Sequence, residues 1–171
     1  MKNIILTGLM GAGKSTVGRA LAKRRKMQFF DSDRVIEERT GVDIPTIFEI
    51  EGEDGFRDRE QQVIEDLVKQ KGVIIATGGG SLVRKENRKV LTESGNVIYL
   101  CATPHQLYSR IRYDKSRPLM QTDNPLQTLT DLLNSREQYY LDTANLIIRT
   151  GKYRIAMTIK QIENGLEQLG E

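Results

Sequence analysis

The apolar positions of this chain fall into two periods that alternate from one end to the other. Asn3 to Thr7 carries the uninterrupted run Ile4-Ile5-Leu6, the pattern of a buried strand. Lys14 to Arg25 changes to helical spacing, with Val17, Ala20 and Leu21 on one side. A second strand is predicted at Gln28–Phe30, its edge delivering Asp31-Ser32-Asp33; helical spacing then runs through Val35-Ile36 and stops at Gly41, a residue suited to a left-handed cap. Pro45 opens a short helix that ends near Gly52. A longer helix spans Gly55 to Gln70 and puts Arg57 and Glu60 three apart on a shared face. Val73-Ile74-Ile75-Ala76 reads as a third strand, buried on both faces, that runs straight into Thr77-Gly78-Gly79-Gly80. A helix at Asn87–Thr92, a strand at Val97–Leu100, helices at Pro104–Ile111 and Leu126–Leu141, a strand at Leu146–Ile148 and a closing helix at Tyr153–Leu169 complete the series. Arg112 to Pro125 breaks it: no apolar period is sustained there, and Arg117-Pro118 and Asn124-Pro125 mark a mobile loop flanked by helices.

Strands alternating with helices predict an α/β fold, a parallel sheet covered on both faces, with ligands at the carboxyl ends of the strands. With 171 residues and no repeat or linker, the chain reads as a single domain over 1–171. Composition narrows the class further. Hydrophobic content of 38% against 29% charged residues suits a water-soluble globular protein. No apolar run approaches the ~20 residues of a membrane span, and Ile4-Ile5-Leu6 is too short for a secretory signal, so a cytoplasmic location is expected. A net charge of +3 is too balanced for a nucleic-acid surface, and the basic cluster Lys23-Arg24-Arg25-Lys26 closes a helix, where its dipole favours cations. One cysteine, Cys101, and one histidine, His105, exclude an internal disulfide and a soft-ligand zinc set; Cys101 reads as a buried structural thiol at a strand end.

The stretch with explicit chemistry is Gly8-Leu9-Met10-Gly11-Ala12-Gly13-Lys14-Ser15-Thr16. It matches the pattern Gly, four free positions, Gly-Lys-Ser/Thr between a strand and a helix. Its glycines let successive N–H groups turn toward phosphate oxygens, and the helix N-terminus adds partial positive charge. Lys14 is expected to reach β- and γ-phosphates and Ser15 to ligate Mg²⁺.

Every other polar cluster also lies just past a strand end. Asp31 is suited to Mg²⁺ through water and Asp33 to orienting or deprotonating an acceptor hydroxyl, although such a pair is equally a common helix N-cap. The glycine triplet at 78–80 permits close approach of a ligand or a backbone. Arg57 and Arg136 are candidates for gripping an anionic acceptor, with Glu60 holding Arg57. Arg117, in the lid, would add positive charge over the phosphates on closure.

Taken in order, 8–16, Asp-Ser-Asp at 31–33, Phe-Arg-Asp-Arg-Glu at 56–60, Gly-Gly-Gly at 78–80, Arg-Pro-Leu at 117–119 and Arg136 make the chain resemble the shikimate kinases, P-loop proteins of the nucleoside-monophosphate-kinase-like group. That resemblance implies a three-layer α/β/α P-loop kinase fold with a five-stranded sheet of order 2-3-1-4-5, a substrate-binding segment at about 33–61 and a lid at about 112–125. It implies phosphorylation of the 3-hydroxyl of shikimate by ATP with Mg²⁺, a step in aromatic amino-acid biosynthesis, by a monomer with no nucleic-acid or membrane partner. Lys14, Asp33 and Arg117 are then the catalytic set, Asp33 being the base. Gly11, Ala12, Gly13, Lys14, Ser15, Thr16 and Arg117 contact ATP, and Arg110 stacks on adenine. Asp33, Arg57, Glu60, Gly78, Gly79, Gly80 and Arg136 surround shikimate, whose carboxylate falls to Arg57 and Arg136, while Ser15 and Asp31 serve the metal. Two positions depart from the family pattern. Glu137-Gln138-Tyr139-Tyr140 replaces the usual Pro-Leu-Tyr run after Arg136, and the basic residue that touches adenine after the last strand is only straddled, by Lys152 and Arg154. A kinase acting on gluconate or a nucleoside monophosphate, and a nucleotide-regulated binding module, are the alternative readings.

Overall fold

The computed structural model describes residues 1–151 and 153–171. Five strands, β1 (Asn3–Thr7), β2 (Gln28–Asp31), β3 (Val73–Ala76), β4 (Gly95–Cys101) and β5 (Leu146–Arg149), form one sheet of order β2-β3-β1-β4-β5. All four pairings are parallel. The central strands are buried on both faces, as their continuous apolar runs require. Edge strand β5 alternates instead, burying Ile148 and exposing Ile147.

Among the described residues seven α-helices cover the sheet: α1 (Lys14–Arg25), α2 (Ser32–Thr40), α3 (Ile44–Leu67), α4 (Lys85–Ser94), α5 (Pro104–Ile111), α6 (Pro125–Thr143) and α7 (Ile155–Gln168). α1 packs with α7, and α3, α4 and α6 form the other contiguous group, giving the three-layer α/β/α arrangement. The basic cluster at the end of α1 has a structural account. Arg24 pairs with Glu163 of α7 at 2.9 Å, and Lys26 forms a left-handed cap at φ 54°.

The predicted break near Gly52 is present inside α3, where Gly52 adopts φ 72° and ψ −178° between two helical stretches. Gly41 is a left-handed cap on α2, as its position suggested. The segment predicted as a mobile loop, 112–125, carries local structure of its own. Pro118–Met120 form a 3-10 turn and Met120 is buried in the main core, because an isolated apolar residue can anchor a loop without any period. The core itself is divided. A large cluster surrounds β1 and β4, and a smaller one of Ile36, Ile47, Phe56, Val63, Leu67, Val73 and Ile75 joins α2 and α3 to the β2–β3 side.

Gly95 opens β4 directly against β1, and a Cβ there would lie 2.1 Å from the Asn3 carbonyl oxygen. Since backbone has to give way, Gly95→Ala is expected to destabilise the fold by about 1–3 kcal/mol, the usual cost of overpacking. An unchanged midpoint in urea unfolding would contradict that contact.

Candidate active site

The phosphate loop begins where β1 ends, and its glycines are required by geometry. Gly11 and Gly13 hold φ 82° and 93°, and a Cβ on Gly8 would lie 2.4 Å from the Leu100 carbonyl oxygen. Gly13 precedes α1, which has no side-chain cap and no acid in its first turn, so the helix N-terminus is available to an anion. Lys14 donates to the carbonyls of Gly8 at 2.6 Å and Leu9 at 3.0 Å. Its burial lowers its pKa to about 8, helped by the charge of Arg117 and opposed by Asp33 and Asp31. From outside, Arg110 donates to the carbonyls of Gly11 (2.7 Å) and Thr150 (2.9 Å), and Thr150 Oγ1 donates to the Ala12 carbonyl (3.1 Å). The end of β5 thereby holds the loop in shape.

The helix-cap reading of the Asp31/Asp33 pair holds for Asp31. One carboxylate oxygen caps α2 through the N–H groups of Asp33 (3.1 Å) and Arg34 (3.3 Å), while the other accepts from the Ser15 hydroxyl. Ser15 and Asp31 thus present two hard oxygens side by side at the loop. Among the described residues no group of three or more His, Cys, Asp or Glu side chains could hold a metal ion. A two-ligand protein contribution suits Mg²⁺, which keeps water and phosphate oxygens in its shell. Asp33 is different: its Oδ1 is buried without a hydrogen-bond partner among the described residues. Burial, with the negative charges of Glu60 and Asp31, pushes its carboxyl up to about 7, against the pull of Arg117 and Lys14.

Across the cavity, Arg57 and Glu60 of α3 form a buried ion pair at 2.9 Å, and Glu53 reaches the other Arg57 nitrogen at 3.3 Å. Glu60 also accepts from Ser81 Oγ at 3.0 Å. Arg136 is buried on α6, and its Nη1 has no hydrogen-bond partner among the described residues. Burial and the nearby charge of Arg57 lower its pKa. The glycine triplet fits between these groups with no room to spare. A Cβ at 78 would lie 2.7 Å from Asp33 Oδ1 and 2.8 Å from a Glu60 oxygen, and one at 80 would lie 2.2 Å from Arg57 Nη2.

A cleft of about 580 Å³ runs from the phosphate loop past Asp31, Asp33, Gly78 and Gly79 to Arg110 and Arg117. It continues into a smaller recess bounded by Asp33, Arg57, Glu60, the glycine triplet, Arg117 and Arg136. Arg117 touches both, with its Nε donating to Asp114 at 3.2 Å. A smaller pocket of about 230 Å³, also bounded by Arg110, is lined by Thr150, Tyr153, Ile155 and Thr158. Arg154 is the residue preceding α7, and Lys152 lies outside the described residues. Sequence reading passed over the apolar wall of the recess, Met10, Phe48, Phe56, Pro118 and Leu119. The adjacency of Phe56 to Arg57 was the available signal, since the guanidinium lies 5.1 Å from the centroid of that ring.

A family model described as Shikimate kinase matches residues 10–167. A shikimate kinase of Ralstonia nicotianae is 52% identical over 170 residues, covering 99% of this chain and 90% of that protein. The chain belongs to the shikimate kinase family. Among solved shikimate kinases, the Acinetobacter baumannii enzyme in complex with shikimate superposes with a TM-score of 0.96 at 42% identity, over 98% of this chain and 94% of that one. The Aquifex aeolicus shikimate kinase gives 0.87 at 32% identity, with 98% of each chain covered. A gluconokinase of Sinorhizobium meliloti, at TM-score 0.60 and 19% identity over 98% of this chain and 93% of that one, shares the fold alone.

Within this shikimate kinase the raised Asp33 pKa has a measurable consequence. The unfolded group loses its proton near 3.8 and the folded one near 7, so the native chain loses stability as pH rises between those values. Asp33→Asn abolishes that loss. Its melting temperature in the ligand-free protein should gain on the native one as pH is raised from about 5 to about 8. A difference independent of pH would contradict the burial of this carboxyl.

Proposed function

We propose that this chain transfers the γ-phosphoryl group of ATP to the 3-hydroxyl of shikimate, yielding shikimate 3-phosphate and ADP on the route to chorismate and the aromatic amino acids. One observation carries the reading beyond family membership. Asp33 Oδ1 and Arg136 Nη1 are a buried acceptor and a buried donor, each without a partner, on a single recess beside the phosphate loop. An acceptor that offers a hydroxyl to the first and a carboxylate to the second satisfies both. The Acinetobacter relative, which binds shikimate, supports the same identity.

In this reading Arg136 and the Glu60-braced Arg57 hold the carboxylate, and the backbone of Gly78 to Gly80 lies against the ring. Asp33 takes the proton of the 3-hydroxyl as that oxygen bonds to the γ-phosphorus and the bond to the ADP oxygen breaks. A carboxyl poised near neutrality suits a general base. The backbone of Gly11 to Thr16 and the side chains of Lys14 and Arg117 meet the phosphates, and Arg110 faces the adenine. Mg²⁺, when bound, neutralises phosphate oxygens; Ser15 would hold it directly and Asp31 through water. In this reading the protein acts as a cytoplasmic monomer.

The decisive experiment is ADP release measured with shikimate, gluconate and a nucleoside monophosphate as acceptors. Turnover with shikimate is expected, and turnover only with another acceptor would refute the reading. A nucleotide-regulated module would instead be stabilised by ATP and indifferent to shikimate in a thermal shift. Lys14→Met is expected to abolish turnover and keep the fold, seen by circular dichroism, because the loop geometry resides in its glycines. Arg136→Met should raise the KM for shikimate about 30-fold or more, the usual cost of breaking a buried charged contact, and spare the KM for ATP. An unchanged acceptor KM would remove Arg136 from the site.

A further inference from the structure

A glycine triplet has no side chains to fix its own conformation, so its carbonyls must be fixed from elsewhere. The Gly78 carbonyl accepts from Ser81 N at 3.1 Å and the Gly80 carbonyl from Val83 N at 3.1 Å, both within the local turn. The Gly79 carbonyl accepts from the Tyr140 hydroxyl, which comes from another element, α6. The ring of Tyr140 is buried and stacks on Tyr99 of β4, with centroids 5.0 Å apart and planes at 24°. Tyr140 does not line the acceptor recess, although Gly79, Gly80 and Arg136 do.

We propose that Tyr140 is a positioning residue for the acceptor, fixing the Gly79–Gly80 peptide and the Arg136 guanidinium together from behind the cavity wall. A trans peptide is planar, so holding the Gly79 carbonyl also sets the direction of the Gly80 N–H on its opposite edge. Arg136 sits one helical turn before Tyr140, where i and i+4 side chains meet. The nearby positive charge of Arg136 opposes the burial that raises the Tyr140 pKa. A phenol can donate in one direction and accept in another, so with its hydrogen given to Gly79 the same oxygen can still accept from the arginine one turn away. The stack on Tyr99 leaves that oxygen little freedom.

This inference rests on the reading that the acceptor occupies the recess. Tyr140→Phe keeps the ring and its stack and removes only the oxygen. It is expected to raise the KM for shikimate about three- to tenfold, as for one lost hydrogen bond, and to leave the KM for ATP unchanged. A purely structural role would lower the melting temperature or the active fraction, and hence apparent kcat, with both KM values unmoved. That result overturns the proposal, as does an equal rise in both KM values. Native protein assayed alongside separates the two claims. If it turns over shikimate and the variant shows no acceptor-selective rise, only the role of Tyr140 fails; if native protein gives no shikimate-dependent ADP, both fail.

Discussion

Two like charges, Arg57 and Arg136, are buried at one cavity wall, and much of the surrounding structure serves to hold them there. A guanidinium keeps its proton whatever its surroundings, so the protein cannot relieve the strain by titration. Arg57 is met by Glu60 and Glu53, and Glu60 is met in turn by Ser81. Arg136 is in no ion pair among the described residues. The recess therefore keeps an unpaired guanidinium, Arg136, at one end and Asp33, its carboxyl pushed up to about 7, at the other. Such an arrangement contributes little to stability, because pairing seldom offsets the cost of removing ions from water. The large core around β1 and β4 supplies the stability that this wall does not.

The parallel sheet turns these separate demands into one site. Because β1 lies between β3 and β4, the turns after β1 and β3 emerge side by side, and β2 delivers Asp31 next to β3. Gly78 then fits between Asp33 and Glu60 only because it has no side chain. Arg117 enters from the segment between α5 and α6, which Met120 anchors in the core three residues further on.

The alternation of elements was legible from apolar period alone, and most boundaries fall within a few residues of those observed. The strand order came from resemblance, since periodicity does not say which strands are neighbours. The phosphate loop and the Arg57/Glu60 pair were legible because their chemistry depends on short spacing. Other features were out of reach. Tyr140 meets Gly79 across 61 positions, and nothing local to either residue announces it. Phe48 and Phe56 read as core and prove also to be cavity wall, because helical spacing identifies an inward face without saying what lies inside. Met120 was hidden for the opposite reason, as a lone apolar residue makes no pattern.

Lys14 has three hydrogens to give, and the carbonyls of Gly8 and Leu9 take two of them. The third is free to meet an incoming oxygen without any existing bond being broken. The lysine is thus aimed in advance, and the entropy of ordering its long side chain is spent when the chain folds and not when a ligand arrives. Discrimination among anions cannot come from that contact, which any phosphate oxygen satisfies equally. It has to come from groups farther along the cleft, which gives the pocket beyond Arg110 and the recess at Arg136 the deciding vote on what stays.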